Sequence, residues 1–317
     1  MTDKSAVLAF DTSNYTTSAA LLATDGELIA NLKKPLAVKA GERGLRQSDA
    51  LFLHTVNIPD ILSELRSFIG DRQIVAVGVS DRPRNTEGSY MPCFLCGVSC
   101  AESAATVLGA PLYRFSHQCG HIMAALYSSG KTELLSEEFA AFHISGGTTE
   151  LVRVKPSEGG FETELLGGTS DLNAGQVIDR IGVYMGLSFP AGPEVERLAL
   201  ENKKKIPKKK ISSDALRINL SGLENLAVKL YKDTEDKSLT AAFVFDYIGR
   251  AIASLCAEYE ERYGKTKFVC AGGVMCNSII KRMLAESFEV YFAEPLMSAD
   301  NAVGCAALTL RAYLAGK

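Results

Sequence analysis

A strand-turn-strand-strand pattern with a polar, flexible first turn occurs twice in this chain, about 135 residues apart. The first copy runs Ala6 to Phe10, Ser18 to Ala23 and Glu27 to Leu32. Hydroxyl-rich Asp11-Thr-Ser-Asn-Tyr-Thr-Thr forms its first turn and Asp25-Gly26 marks its second. The second copy runs Phe139 to Ile144, Glu150 to Val154 and Phe161 to Leu166, with Ser145-Gly-Gly-Thr-Thr as its first turn. Further apolar strands are expected at Ile74 to Val79, Leu112 to Phe115 and Phe268 to Cys270. Helices are expected over Ala50 to Ile69, with Pro59 as a kink or break, and over Pro92 to Leu108, Thr240 to Tyr263 and Asn301 to Leu314. Others are expected to start at His117, near Asp171 and at Ser221. A chain of 317 residues is too long for one small core, so the duplication implies an α/β protein with two lobes facing one cleft.

Composition narrows the function classes. At 47% hydrophobic and 22% charged, the chain reads as an ordinary soluble globular protein. No apolar run approaches the ~20 residues of a membrane span, and the opening Met-Thr-Asp-Lys-Ser is no secretory signal. A cytoplasmic protein without membrane contact is expected. Cys93, Cys96 and Cys100 form C-x-x-C-x-x-x-C in a small-residue helix, where cysteine serves close packing; no second C-x-x-C completes a four-ligand site. The net charge of -3 gives no global pull toward nucleic acid. One segment departs from this: Lys203, Lys204, Lys205, Lys208, Lys209 and Lys210 flank Ile206-Pro207, as a solvated loop or as a contact to a phosphate backbone.

Two of the four histidines, His117 and His121, stand at H-x-x-x-H spacing, which puts both imidazoles on one helix face where they can grip one ion. Cys119 between them would point to another face. Asp300, where the last helix begins, reads either as an N-cap or as the carboxylate of a two-His, one-carboxylate metal site suited to iron or zinc. Ser145, Gly146, Gly147, Thr148 and Thr149 form a turn whose backbone N–H groups can approach phosphate oxygens. Ala271-Gly272-Gly273-Val274, with Asn277, ends a buried strand and opens a helix, a common way to bring backbone close to a nucleotide. It is not G-x-G-x-x-G, so a dinucleotide fold is disfavoured. Asp11 and Asp179 are further candidate acids, and Asp179 suits either a ribose hydroxyl or a surface helix pair. H-x-x-x-H lacks the glutamate of the H-E-x-x-H proteases, because Gln118 follows His117.

Together these pieces resemble the TsaD family, bacterial transferases that make N6-threonylcarbamoyladenosine in tRNA. The resemblance rests on Asp11-Thr-Ser, His117 and His121, Ser145-Gly-Gly, Asp179 in Ala174-Gly-Gln-Val-Ile-Asp, Pro190-Ala-Gly-Pro193, Ser221-Gly-Leu, Ala271-Gly-Gly-Val with Asn277, and Asp300-Asn. It implies an actin-like ATPase (sugar kinase/Hsp70) fold with duplicated mixed-sheet cores, in lobes 1–116 plus 294–317 and 117–293. By resemblance His117, His121 and Asp300 would bind one divalent ion, iron or zinc. Asp11, Ser145, Gly146, Gly147, Thr148, Thr149, Asp179, Gly192, Gly272, Gly273 and Asn277 would hold ATP or the threonylcarbamoyl-adenylate. Expected partners are tRNA and TsaB-like and TsaE-like proteins, or a second copy through the N-terminal lobe. Some positions depart from the family pattern: Tyr15 and Thr16 replace an acidic pair, Thr148 a histidine, Arg82-Pro-Arg84 a Gly-Pro-Gly turn, and Glu224 a lysine. These changes support the alternative of a non-catalytic or altered-substrate paralogue that binds nucleotide and acts as a partner protein.

Overall fold

The structure, a computed structural model, describes residues 4–13, 15–37, 45–211 and 213–316. Asn14 of the first turn and residues 1–3 of the expected non-secretory start lie outside the described residues. The chain divides into two compact units, Met1–Glu137 with Lys155–Thr163 and Ala299–Lys317, and Glu138–Val154 with Glu164–Ser298.

The first unit opens with β1 (Ser5–Asp11), β2 (Thr16–Ala23) and β3 (Leu28–Pro35), a meander in which both pairings are antiparallel. Helix α1 (Gln47–Ile69) leads to β4 (Gln73–Arg82), and α2 (Phe94–Leu108) to β5 (Leu112–Ser116). Both of these strands join in parallel, giving the order β3-β2-β1-β4-β5. Helix α3 (His117–Ser128) follows at once. Phe10, Leu21, Val77 and Val79 from the sheet, with Ile61 and Leu65 from α1 and Ala101 and Ala105 from α2, form one core cluster. Pro59 does not break α1. Its ring lies on the exposed face, as does Thr55, whose carbonyl loses an intrahelical partner, so water can replace the missing N–H.

The second unit carries β6 (Phe139–Ile144) and most of β7 (Thr149–Ser157) and β8 (Gly160–Thr169), whose joined ends at 155–163 fall in the first unit, then α4 (Ala174–Tyr184) and α5 (Gly192–Glu201). Two short strands, β9 (Ser213–Asp214) and β10 (Arg217–Ile218), precede α6 (Ser221–Thr234) and α7 (Lys237–Tyr263). The remainder is β11 (Phe268–Ala271), α8 (Ser278–Ala285), β12 (Val290–Phe292) and α9 (Pro295–Ser298), after which α10 (Val303–Ala315) belongs to the first unit. The sheet order is β12-β11-β6-β7-β8-β10-β9. Within it β8-β7-β6-β11-β12 repeats the order of the first sheet, again with an antiparallel hairpin followed by parallel additions. The doubled sequence pattern is therefore a doubled sheet.

Asn173 and Gln176 form a reciprocal capping box at the start of α4, and Asp236 caps α7 through the Leu239 N–H at 2.9 Å. By length and composition α7 is apolar enough to cross a membrane, but 83% of its most apolar window is packed inside the protein. It is the central helix of the second core, with Phe243, Val244, Ile248 and Leu255 buried.

Residues 117–137 belong to the first unit, whereas the sequence reading starts the second lobe at His117. Backbone packing is the reason. A Cβ at Gly304 of α10 would stand 1.8 Å from the Gly120 carbonyl oxygen of α3, so only glycine permits the two helices to lie this close.

Candidate metal centre and nucleotide site

Ser116, in extended conformation, caps α3 by accepting the Cys119 N–H on its Oγ at 3.2 Å, and so makes His117 the first helical residue. One turn later His121 lies on the same face. The rings meet edge to face with centroids 4.3 Å apart and the two Nε2 atoms 2.9 Å apart. Asp300 Oδ1 lies 3.5 Å from His117 Nε2 and 3.3 Å from His121 Nε2. It is available because Asn301 takes over the helix start, its Oδ1 accepting the Val303 N–H at 2.9 Å. Of the two roles open to Asp300 in the sequence, the N-cap falls to Ala302, and the side chain that accepts the first helical N–H is that of Asn301. Cys119 turns away, its sulfur accepting from Asn85 Nδ2 at 3.2 Å.

Three atoms bound to one ion at about 2.0–2.2 Å stand roughly 3.0–3.5 Å from one another. The observed 2.9, 3.3 and 3.5 Å match that spacing, so the donor set fits a single ion such as zinc or iron. Among the described residues this is the one His/Cys/Asp/Glu group close enough to hold a metal. Cys93, Cys96 and Cys100 are free thiols outside it.

A second carboxylate stands behind the first histidine. Asp11, at the end of β1 and 1% exposed, places Oδ2 2.8 Å from His117 Nδ1. An ionised carboxylate only accepts, so Nδ1 carries the proton and Nε2 turns a lone pair toward the cluster. The Ser13 N–H donates to Asp11 Oδ1 at 2.8 Å and the Ser13 hydroxyl donates to the same oxygen. Phe94, the first residue of α2, packs edge-on to the His117 ring at 6.2 Å. Burial opposes charge on His117, but Asp11 and then Asp300 push its pKa up to about 10. Burial and the charge on His117 push His121 down. Asp300 is held far below the usual carboxylate range by the two histidines, against the cost of burial, and Asp11 is lowered by His117, Ser13 and Ser80 against the same cost. The buried carboxylate of Asp11 and the partly buried one of Asp300 favour a positive charge between them, a second proton on His117 or a metal ion at its Nε2.

The second unit gathers the remaining named residues. Ser145 and Thr148 close the β6–β7 turn through an N–H to carbonyl bond of 2.8 Å, and Gly147 N–H reaches Ser145 Oγ at 3.3 Å. Thr149 Oγ1 accepts the Ala174 N–H at 2.9 Å, seating the start of α4 on the turn. Gly146 and Gly147 face open space. Asp179 on α4 accepts the Ala191 N–H at 2.8 Å and a further bond from Gly192, and burial pushes its carboxyl above the ordinary value. Gly272 has φ +96°, and a Cβ there would stand 2.3 Å from the Ile144 carbonyl oxygen, so the β11 end lies directly against the β6 end. Gly273 then opens a 3-10 turn. Asn277 Oδ1 caps α8 through Ile279 and Ile280 N–H at 3.1 and 3.0 Å, while its Nδ2 is buried with no hydrogen-bond partner among the described residues. A buried donor left unpaired is costly, and points to a ligand acceptor.

Asp11 is the exception among the residues grouped with the nucleotide: it lies in the first unit, with its carboxylate on His117. Sequence reasoning missed this orienting role and the glycine pair at 120 and 304; the available signal was an acid ending the first core strand. Of the positions that depart from the family pattern, Glu224 pairs with Arg180 at 3.0 Å and Tyr15 is 45% exposed.

The chain has the actin-like ATPase fold, with a His-His-Asp cluster whose two histidines are buried. Among solved structures, HypF of T. kodakarensis matches with a TM-score of 0.65 at 12% identity, over 98% of this chain and 48% of that one. The activator of the 2-hydroxyisocaproyl-CoA dehydratase from Clostridium difficile matches with a TM-score of 0.55 at 14% identity, over 98% and 96%. The chain belongs to the TsaD family, described as tRNA N6-adenosine threonylcarbamoyltransferase, whose model matches residues 44–307. A relative of that name from Streptococcus pneumoniae (strain Taiwan19F-14) is 31% identical over 291 residues, 88% of this chain and 83% of the relative.

Proposed function

We propose that this chain transfers a threonylcarbamoyl group from its adenylate to N6 of an adenosine in tRNA, with one divalent ion, iron or zinc, held by His117, His121 and Asp300. The observation that carries the reading is the convergence of three donor atoms within 3.5 Å in a chain of this family. A divalent ion at these residues would supply Lewis acidity toward the carbamoyl carbonyl. The protein's own groups hold that donor set. Asp11 keeps the proton on His117 Nδ1, and burial keeps His121 neutral with a lone pair to offer. In the second unit the Ser145–Thr149 turn and Gly272-Gly273 offer backbone N–H groups to the phosphate of ATP or the adenylate. Asn277 Nδ2 donates to the nucleotide, and Asp179, beside Gly192, accepts from a ribose hydroxyl. The adenine N6 attacks the carbonyl carbon and loses a proton as the new C–N bond forms; the bond to the phosphate oxygen breaks and adenylate leaves.

A TsaB-like protein or a second copy of the chain suits the first unit, where Phe52 and Val56 on α1 and Leu95 and Val107 on α2 expose apolar side chains. A TsaE-like protein and a cytoplasmic setting belong to the same reading. The non-catalytic paralogue keeps one supporting observation, the Arg180–Glu224 pair next to Asp179, where the family pattern has lysine. The test is incubation of the purified full chain with threonylcarbamoyl-adenylate and unmodified tRNA, with and without partner proteins, followed by nucleoside mass spectrometry. The modified adenosine is expected. Unmodified tRNA under both conditions rejects the transfer reading and leaves the paralogue.

A further inference from the structure

The lysine-rich segment between α5 and β9 is held in place. Ile206 and Ile211 pack against the second core. The backbone is fastened at both ends: Asn202 Nδ2 donates to the Lys204 carbonyl at 2.8 Å, the Lys204 N–H donates to Asn202 Oδ1 at 3.1 Å, and Arg250 Nη1 donates to the Lys209 carbonyl at 2.9 Å. Two lysines serve as anchors, Lys204 Nζ to Asp236 at 2.7 Å and Lys208 Nζ to Asp246 at 2.5 Å. The other four, Lys203, Lys205, Lys209 and Lys210, are exposed and have no ion-pair partner among the described residues. A chain with a net charge of -3 thus presents four unneutralised ammonium groups within eight residues, on a backbone whose ordering cost is met by folding. Lys203 with Lys205, and Lys209 with Lys210, offer point charges without the bidentate geometry that selects a particular base or carboxylate.

We propose that Lys203, Lys205, Lys209 and Lys210 form a docking surface for the sugar-phosphate backbone of RNA, contacting phosphates without reading sequence. This rests on tRNA being the acceptor in the reading above. RNA is favoured over an acidic protein because the segment contributes no exposed aromatic or large apolar anchor of the kind a protein interface is built around. Folded RNA also presents phosphates in dense array at any register, which suits charges carried on long flexible stems.

The test compares the full chain with its K203Q/K205Q/K209Q/K210Q variant, which leaves Lys204 and Lys208 in their ion pairs, with thermal melting to confirm that the variant folds. Binding of unmodified tRNA is followed by fluorescence anisotropy from low to moderate salt. The wild-type plot of log affinity against log salt is expected to be steeper than the variant's by about 3 to 4, close to one for each lysine removed. At about 100 mM salt the variant is expected to bind tRNA at least tenfold more weakly, and an unrelated tRNA to the same extent. Equal affinity and equal slope for the two proteins would overturn the proposal. So would a variant that keeps tRNA binding but no longer co-purifies with an acidic partner protein. The transfer reading fails separately: a wild-type chain that binds tRNA through these lysines yet leaves it unmodified refutes the reaction and keeps the docking surface. If the variant modifies tRNA with unchanged KM, the reaction stands and the docking surface fails.

Discussion

The two candidate sites are built in opposite ways. In the first unit the candidate site is made of side chains: two imidazoles and two carboxylates converge, and helix caps and a glycine crossing bring them together. In the second unit the candidate site is made largely of backbone, with turns open at Gly146 and Gly147 and an unpaired side-chain donor at Asn277. A charged, buried cluster is disabled by the loss of one atom, whereas a backbone cradle tolerates side-chain change and responds to main-chain displacement. Departures from the family pattern fall in both units, Tyr15, Thr16 and Arg82-Pro-Arg84 in the first and Thr148 and Glu224 in the second, and none of them falls at His117, His121 or Asp300.

The difference can be tested in order of effect. Replacing a donor, His117→Ala, His121→Ala or Asp300→Ala, should remove most of the metal that survives purification. The loss of affinity should exceed the about 10–100-fold typical of an outer partner, while nucleotide binding by calorimetry stays within about twofold. Asp11→Asn should weaken metal binding by about 10–100-fold, because an amide can no longer hold the Nδ1 proton as a charged acceptor does. A metal affinity unchanged in Asp11→Asn would show that the contact behind His117 does not orient it.

For the second unit, Asn277→Asp retains the oxygen that caps α8 but removes the buried donor. Nucleotide affinity should fall about tenfold, on the order of one hydrogen bond, with metal content unchanged. The smallest effect is expected at Asp171, whose carboxylate accepts the Leu220 and Ser221 N–H groups at the start of α6 at 2.8 and 3.1 Å. Burial opposes its ionisation, but the bonds from Ser221, Leu220 and Leu172 hold its pKa at about 2. The folded value is below the ordinary 3.8, so the stabilisation is complete above that value and is lost as pH falls toward about 2. Asp171→Asn should cost under about 1 kcal/mol at neutral pH, since the group is solvent-screened. Its deficit against wild type in denaturant melts should close as the pH is lowered from about 4 to about 2.

Much of this was legible in the sequence where the signal is local. The two strand hairpins, the H-x-x-x-H face and the Gly272-Gly273 turn each follow from spacing that neighbouring residues fix. Asp300 was legible only as an ambiguity between N-cap and metal carboxylate, because only the fold decides which way its side chain turns. The unit boundary was misplaced because Gly120 and Gly304 meet through space, and each alone reads as an ordinary small residue in a helix. Asp11 was assigned by its position in a polar turn, whereas its partner lies 106 residues away. Pro59 was expected to disturb α1, but a proline on an exposed helix face leaves its orphaned carbonyl to solvent.

The most direct test is to strip the purified chain of metal with a chelator and follow threonylcarbamoyl transfer to tRNA before stripping, after stripping, and after return of one equivalent of iron or zinc. Activity should vanish on stripping and return with the ion in wild type, but not in His121→Ala. A stripped wild-type protein that modifies tRNA at its original rate would contradict the assignment of His117, His121 and Asp300 as the metal centre of the reaction.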